Sequence, residues 1–415
     1  PSLNSPVYVC CQDGLKEADK IERLPGQPNG VDLDRYSGYV TIRKLEKHKS
    51  PDAPANKPLV LWLNGGPSCS SFGNGTMMEL GTFRVNSDGK TLIAWNNGKS
   101  PSLSLSLSLQ VLWLELAKIL FLESPAGVGF YYSNTSDYVL SADKRIAADS
   151  YTFMINRLER FPEYKNRDFF LTGDSYTGHY LAQLILRNNK ITNQTIINLR
   201  GIAHSSLMKY MREVRKNAIS PHKIWIAGLY IWVLASLTAS MTFRPHYVHQ
   251  ITPTSLWYEC LYQYNFTVID PPSSYDPCTD SNVLNYLNTA AVQNALHANV
   301  TELPQVWDPC SILAALSYPG TVLPTIQELT ANDIKVWMYR VPVTSTRHSI
   351  NKLKPPTITS WYPWYTQDKV GGYTMGYQNL TFVTVRGAGH LVQSYQPARA
   401  HTLFTSFLER KLPPA

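Results

Sequence analysis

The sequence predicts an α/β protein built on a doubly wound, mostly parallel sheet, and a few features predict it. Short, nearly continuous apolar runs recur at Pro58–Leu63 (PLVLWL), Ile119–Leu122 (ILFL) and Asp168–Leu171 (DFFL). A helical stretch over residues 143–159 separates the second run from the third. Two more runs, Ile334–Tyr339 (IKVWMY) and Leu380–Val385 (LTFVTV), extend the series towards the C-terminus. Runs of this length suit strands buried on both faces of a sheet that helices cover, because such strands have no polar face to alternate with. Residues 36–43 (YSGYVTIR) alternate instead, and predict one further strand.

With 415 residues the chain exceeds the size at which a single core stops growing, roughly 250–300 residues. The expected organisation is a core in two parts, residues 1–203 and 276–415, with an atypical inserted cap region at 204–275. A 44% hydrophobic and 12% aromatic content excludes a disordered chain, and nothing resembles collagen or a coiled coil. The net charge is +8, but the basic residues are scattered apart from a cluster at Lys209–Lys223. No nucleic-acid-binding motif accompanies them, so nucleic acid is not an expected partner. The uncharged segment 224–241 (IWIAGLYIWVLASLTASM) stands at the lower edge of a membrane span. A buried hairpin or an apolar cap is expected there rather than a span. Residues 100–109 (SPSLSLSLSL) are low in complexity and carry no chemistry.

Six cysteines form no CxxC and no metal motif, so neither metal nor cofactor is expected. They read either as buried thiols of a cytosolic enzyme or as a few disulfides of a secreted one. Six N-x-S/T sequons agree with secretion, and Asn134, Asn299 and Asn379 are the glycosylation candidates.

Chemistry concentrates in three stretches. In residues 168–180 (DFFLTGDSYTGHY) a strand runs through Gly173 and Gly178 into a helical stretch at 179–187. Small residues on both sides let strand and helix pass closely and hold Ser175 out on a tight turn, as a nucleophile requires. In residues 64–71 (NGGPSCSS) a glycine pair after a buried strand leaves backbone N–H groups free to approach a ligand. In residues 386–390 (RGAGH) a lone His390 sits in a glycine loop after the last strand. Taken singly, each is an ordinary turn. The order Gly-Gly loop, serine elbow, C-terminal histidine is that of the α/β-hydrolase fold.

Four segments then resemble the serine carboxypeptidases, in particular the plant carboxypeptidase-like group: LVLWLNGGPSCSS (59–71), LFLESPAGVGFYYS (120–133), FFLTGDSYTGHY (169–180) and GAGHLV (387–392). IERLPGQPNGVDLDRYSGYV (21–40), ALHANV (295–300) and SWYPWY (360–365) resemble the same group, which also includes acyltransferases and a hydroxynitrile lyase. The resemblance implies Ser175 as nucleophile and His390 as general base. It implies an oxyanion hole from the N–H groups of Gly66 and Tyr176. A substrate's terminal carboxylate would be held by Asn64, the Gly65 N–H, Glu79 and Asp174. One of that acid pair must carry a proton to face an anion, and two close carboxyls raise one pKa, so acid pH is implied. Also implied are a Cys69–Cys310 disulfide, a second bridge at Cys260–Cys278, a secreted or vacuolar location and homodimers. The expected substrates are peptide C-termini or small acyl compounds.

The chain departs from that pattern in three places. Ser68 stands where the family has glycine, and Asp174 where it has glutamate, one methylene longer. The third departure is the loop Ser-Gly-Asp-x-Asp, whose second aspartate orients the catalytic histidine. Here Tyr339 is followed directly by Arg340, so loop and aspartate are missing. Asp333 should lie at the opposite end of the strand, and Asp368 is a remote substitute. Loss of the acid alone costs about 10⁴ in rate, since the imidazole tautomer is no longer fixed. The leading expectation is a serine carboxypeptidase with impaired activity. The alternatives are an acyltransferase of the same family and an inactive hydrolase-like binding protein.

The Ser-Leu tract, the replaced segment 204–250 and the lost loop are each abrupt and flanked by good matches, which points to mis-set splice sites, although a degenerated gene would look similar. A transcript that encodes an Asp-bearing loop between Tyr339 and Arg340 and lacks the Ser-Leu tract within residues 98–117 would mark an ordinary serine carboxypeptidase-like enzyme. Sequencing the message decides this, and a message encoding the chain as printed would make the loss of the acid genuine.

Overall fold

A computed structural model of the chain describes residues 14–31, 34–40, 57–66, 68–94, 116–132, 143–175, 177, 197–204, 278–298, 306–310, 322–339, 343–389 and 391–415. Two compact units are distinguished, Pro1–Ser206 with Pro271–Ala415, and Leu207–Asp270. The second unit lies wholly outside the described residues, as do segments 100–109, 179–187 and 224–241.

Twelve strands are described: β1 (Lys20–Ile21), β2 (Arg35–Tyr36), β3 (Leu59–Leu63), β4 (Phe83–Val85), β5 (Leu92–Ala94), β6 (Lys118–Phe121), β7 (Phe169–Gly173), β8 (Leu199–His204), β9 (Lys335–Tyr339), β10 (Thr357–Thr366), β11 (Lys369–Tyr377) and β12 (Leu380–Val385). Eight form one sheet in the order β10-β11-β12-β9-β8-β7-β3-β6. The pairs from β12 to β6 are all parallel, and the β10-β11-β12 meander is antiparallel. The expected mostly parallel α/β sheet is present, and all five predicted apolar runs are strands of it.

Two expectations need correction. Residues 36–43 were expected to form a strand, but Arg35–Tyr36 only pairs briefly with Lys20–Ile21, and residues 37–40 are not a strand. The ILFL run was expected to be buried on both faces, yet β6 closes the described sheet and is half-buried. By contrast every residue of β3 and β7 is buried. Those two central strands therefore read as unbroken apolar runs.

Helix Asp143–Arg160 buries Ile146, Ala147, Ser150, Tyr151, Met154, Ile155 and Leu158, one face at helical spacing. On the sheet, Phe407 of helix Pro397–Leu408 meets Phe170 and Trp337 edge to face, at centroid distances of 5.2 and 5.6 Å. A second apolar cluster joins Met77 and Met78 to Phe83, Val85, Leu92, Tyr286 and Trp307. It packs the segment Ser71–Glu79 against helix Thr279–Leu287 and the β4–β5 hairpin.

The N-terminal segment is fixed by charge. Asp19 Oδ2 accepts from Arg157 and Arg160 at 3.0 and 2.6 Å, and the Arg160 side chain is only 3% exposed. Removing one member of such a group leaves buried, uncompensated charge. Asp19→Ala is expected to lower unfolding stability by about 3–5 kcal/mol. Urea denaturation of variant and parent measures it.

Candidate active site

The serine elbow and the glycine loop leave adjacent strands at one edge of the sheet. Leu63 pairs with Gly173 in the parallel β3–β7 register, so Asn64 and Asp174 both lie just past the C-terminal strand ends. In open α/β sheets that edge is where ligands bind.

The elbow is built by backbone constraints. Ser175 has φ 53°, a left-handed conformation that a non-glycine residue adopts only when its surroundings hold it. Gly173 must be glycine: a Cβ there would lie 2.3 Å from the Leu63 carbonyl and 2.7 Å from Thr177 Oγ1. The Thr177 hydroxyl donates to the Asp174 carbonyl at 2.6 Å, closing the turn. Tyr339, at the end of β9, donates its hydroxyl to the Gly173 carbonyl at 3.0 Å.

The glycine loop is tied to the elbow by side-chain amide chemistry. The buried Asn64 Nδ2 donates to Glu79 Oε1 at 2.7 Å and to Asp174 Oδ1 at 3.2 Å. The Gly65 N–H donates to the same Asp174 oxygen at 3.2 Å. Asn64 Oδ1 accepts from Trp62 Nε1 at 2.9 Å, and the Asn64 N–H donates to Ser71 Oγ at 2.9 Å. Two acids and an amide thus converge directly beside Ser175, with Glu79 and Asp174 at most 4% exposed.

The loop itself is strained and anchored. Gly66 has φ 110°, and Ser68 has φ 76°. Ser68 is fully buried, and its hydroxyl has no hydrogen-bond partner among the described residues. The serine in place of glycine therefore carries both a backbone and a desolvation cost. Next to it, Cys69 is disulfide-bonded to Cys310 across 241 residues. Ser70 N–H donates to the Pro309 carbonyl at 2.7 Å, so strand-like pairing reinforces the covalent link. Closing a loop of that length stabilises the chain by about 5 kcal/mol in the chain-entropy account.

The remaining candidates divide in two groups. His390, Tyr176, Cys260, Asn134 and Asn299 lie outside the described residues. Cys278 is disulfide-bonded; Cys69 and Cys310 pair with each other, so its partner is one of Cys10, Cys11 and Cys260, all outside the described residues. Asn379 occupies the β11–β12 turn at φ 58°, its Nδ2 donating to the Thr330 carbonyl at 3.0 Å and its Oδ1 accepting from Lys335 at 2.5 Å. Asp333 precedes β9 at the edge away from the elbow, and is exposed. Asp368 is exposed in the β10–β11 turn, four strands from β7.

Several site residues were missed by sequence reasoning. Tyr339 and Trp62 read as core aromatics, and no local pattern marks their hydrogen bonds to the elbow and to Asn64. Ser70 had a readable signal: it caps the segment Ser71–Glu79, accepting from Gly73 N–H at 2.8 Å. Glu123 is the most unusual. Its carboxyl accepts from Ser70 Oγ at 2.5 Å and from Phe72 N–H at 3.1 Å, and burial pushes it up to about 7. Among the described residues no cluster of three or more metal-ligating side chains occurs, and no helix is long and apolar enough to cross a membrane.

Comparison with known proteins places this geometry in context. The family model described as serine carboxypeptidase matches residues 25–218 and 235–410. Serine carboxypeptidase-like 40 of Arabidopsis thaliana is 40% identical, covering 96% of this chain and 84% of its own length. P-(S)-hydroxymandelonitrile lyase of Sorghum bicolor is 38% identical, covering 96% of this chain and 85% of its own. Among solved structures, a prohormone-processing carboxypeptidase from Saccharomyces cerevisiae superposes with a TM-score of 0.66 at 20% identity, covering 95% of this chain and 96% of the other. At that identity the likeness establishes the α/β-hydrolase fold alone.

Ser68→Gly relieves the left-handed strain and removes a buried hydroxyl that lacks a partner. It is expected to raise stability by about 1 kcal/mol. The denaturant midpoint of the two proteins, at unchanged slope, reports the gain.

Proposed function

The chain belongs to the serine carboxypeptidase family, and from that premise we propose that it cleaves C-terminal residues from peptides through an acyl-enzyme on Ser175. The observation that carries the reading is the hydrogen bonding of Asp174, the residue before Ser175, to both Asn64 and Gly65. It brings the proposed carboxylate-binding groups, Asn64, Gly65, Glu79 and Asp174, against the nucleophile. A bound peptide would present its terminal carboxylate to them and its scissile carbonyl to Ser175 Oγ.

In this mechanism His390 removes the Ser175 proton as Oγ attacks the carbonyl, and later returns it to the leaving amine. The N–H groups of Gly66 and Tyr176 receive the negative charge that develops on the carbonyl oxygen. Acid pH favours binding, because two carboxyls converging on the Asn64 amide can meet a substrate anion only when one of them carries a proton. A secreted or vacuolar location accords with the Cys69–Cys310 disulfide, since such bonds persist in oxidising compartments. Homodimer formation goes with the family resemblance.

One observation favours a second reading. Asp174 is short enough to rest on the Gly65 N–H itself, the donor that a substrate carboxylate would take. A substrate without a terminal carboxylate would leave that contact intact. Transfer of an acyl group from an ester to an alcohol is such a reaction, and the acyl-enzyme on Ser175 would be common to both.

Full-length protein is expected to release amino acids from blocked dipeptides at acid pH, about 10⁴-fold below a complete triad because the sequence lacks the loop that would carry the orienting aspartate. A serine-reactive phosphonate should label Ser175, and Ser175→Ala should abolish both signals. The absence of both release and labelling would overturn the reading, while acyl transfer to an added alcohol in place of hydrolysis would select the second.

A further inference from the structure

Glu123 follows β6 and points its carboxyl beneath the turn that begins Ser71–Glu79. One oxygen, Oε1, takes both available donors, Ser70 Oγ and the Phe72 N–H. Ser70 in turn caps Gly73 N–H, pairs with Pro309 and accepts from Asn74 N–H at 3.1 Å. Ser71, between the two donors, holds the Asn64 N–H. The seating of Asn64, and of the glycine pair that follows it, therefore depends on how firmly Ser70 and Phe72 are held.

The second oxygen is in a different position. Glu123 Oε2 is buried and has no hydrogen-bond partner among the described residues. The Gly127–Gly129 turn closes over it, and Gly129 has φ +55°; a Cβ there would lie 1.9 Å from Oε2. Among the described residues no charged side chain acts on the carboxyl. Its environment consists of burial and the two donors, and the outcome is the rise to about 7 noted above. The titratable side chain of the same turn, Tyr131, has Asp149 and Arg145 as its charged neighbours instead. With a proton on Oε2, Oε1 accepts both donors and nothing is left charged. Without it, a buried anion is left with one bare oxygen. The residue as a whole is half-buried, and an ionised carboxyl that turned towards water would give up both hydrogen bonds.

We propose that Glu123 is a positioning residue whose neutral carboxyl seats the Asn64–Glu79 segment, and whose ionisation releases it. The site would thus be assembled in acid and loosened above neutrality, independently of any protonation of Glu79 or Asp174. The inference rests on the proposed function only in taking this segment as the source of the oxyanion and carboxylate-binding donors.

Hydrogen exchange read by mass spectrometry on the full chain tests it without requiring turnover. After correction for intrinsic rates, peptides spanning Asn64–Glu79 should lose protection about tenfold or more between about pH 5.5 and about pH 8.5, with a midpoint near the Glu123 pKa. Glu123→Gln keeps an oxygen for Ser70 and Phe72 but cannot ionise, so its protection should be independent of pH. Ser70→Ala removes one of the donors and should show reduced protection already in acid. A wild-type profile that is flat, or that changes equally in every peptide, overturns the proposal. So does a Glu123→Gln variant that keeps the wild-type pH dependence. If that variant does not fold, the wild-type profile and Ser70→Ala decide alone. Because the readout needs no catalysis, failure of Ser175 to react with phosphonate would sink the carboxypeptidase reading and leave this one standing.

Discussion

The side chain of Asn64 uses both its amide hydrogens and its carbonyl, and the rest of the site follows from where it points. Its Nδ2 spans Glu79 and Asp174, which belong to different parts of the chain, and its Oδ1 is fixed by Trp62. An amide is suited to this position because it is neutral and bifunctional. An aspartate would add a third acid to two that already converge. The parallel β3–β7 register makes the arrangement possible, since it delivers Asn64 and Asp174 to the same edge one residue beyond their strands. Shifting that register by one residue would separate the amide from the elbow and turn each strand's side chains to the opposite face.

The loss of the aspartate loop leaves the sheet beneath it unaffected. β9 keeps its parallel partners β8 and β12, and its last residue, Tyr339, reaches the elbow through the Gly173 carbonyl. Gln393 Nε2 approaches the same hydroxyl at 3.5 Å from the short helix that follows the histidine loop. Ser394 of that helix donates to the Met78 carbonyl at 2.7 Å, beside Glu79. Neutral hydrogen bonds thus join the elbow, β9, the helix after His390 and the acid pair. They hold backbone segments in place, but a tyrosine hydroxyl at the elbow cannot stabilise a developing imidazolium as a carboxylate does. The architecture therefore stands without the aspartate loop, and only the proposed chemistry would depend on it.

How much of this was legible in the sequence depended on whether the signal was local. β3 and β7 announced themselves because burial on both faces leaves no polar position, and the elbow because Gly173 has no substitute. β8 was missed: LRGIAH mixes an arginine, a glycine and a histidine into a buried strand whose apolar content is short. The β10–β11 hairpin was missed as an element because its two-residue turn is Gln367-Asp368, with φ 49° and 57°, in place of the Asn-Gly that marks such turns. The site divides the same way. Asn64, Gly65, Glu79 and Asp174 came from motif resemblance, whereas the Ser70–Glu123 and Tyr339–Gly173 contacts join residues 53 and 166 apart and leave no local pattern.

Strain explains why so many anchors surround so small a region. Ser68 and Ser175 both occupy the left-handed region that side chains disfavour, and Gly66 is held at φ 110° in the same loop as Ser68. Each non-glycine residue so placed costs on the order of 1–3 kcal/mol. These costs are met only because the neighbouring chain over-determines the backbone: the Cys69–Cys310 disulfide, the Ser70–Pro309 pairing, the Asn64 amide and the β7 ladder all act within a few residues. A loop free to relax would return Ser68 to extended backbone and carry the Gly66 N–H with it. The same rigidity that makes the region costly to fold would, in the proposed mechanism, fix the Gly66 N–H in advance of the charge it receives, which is where the strain would be repaid.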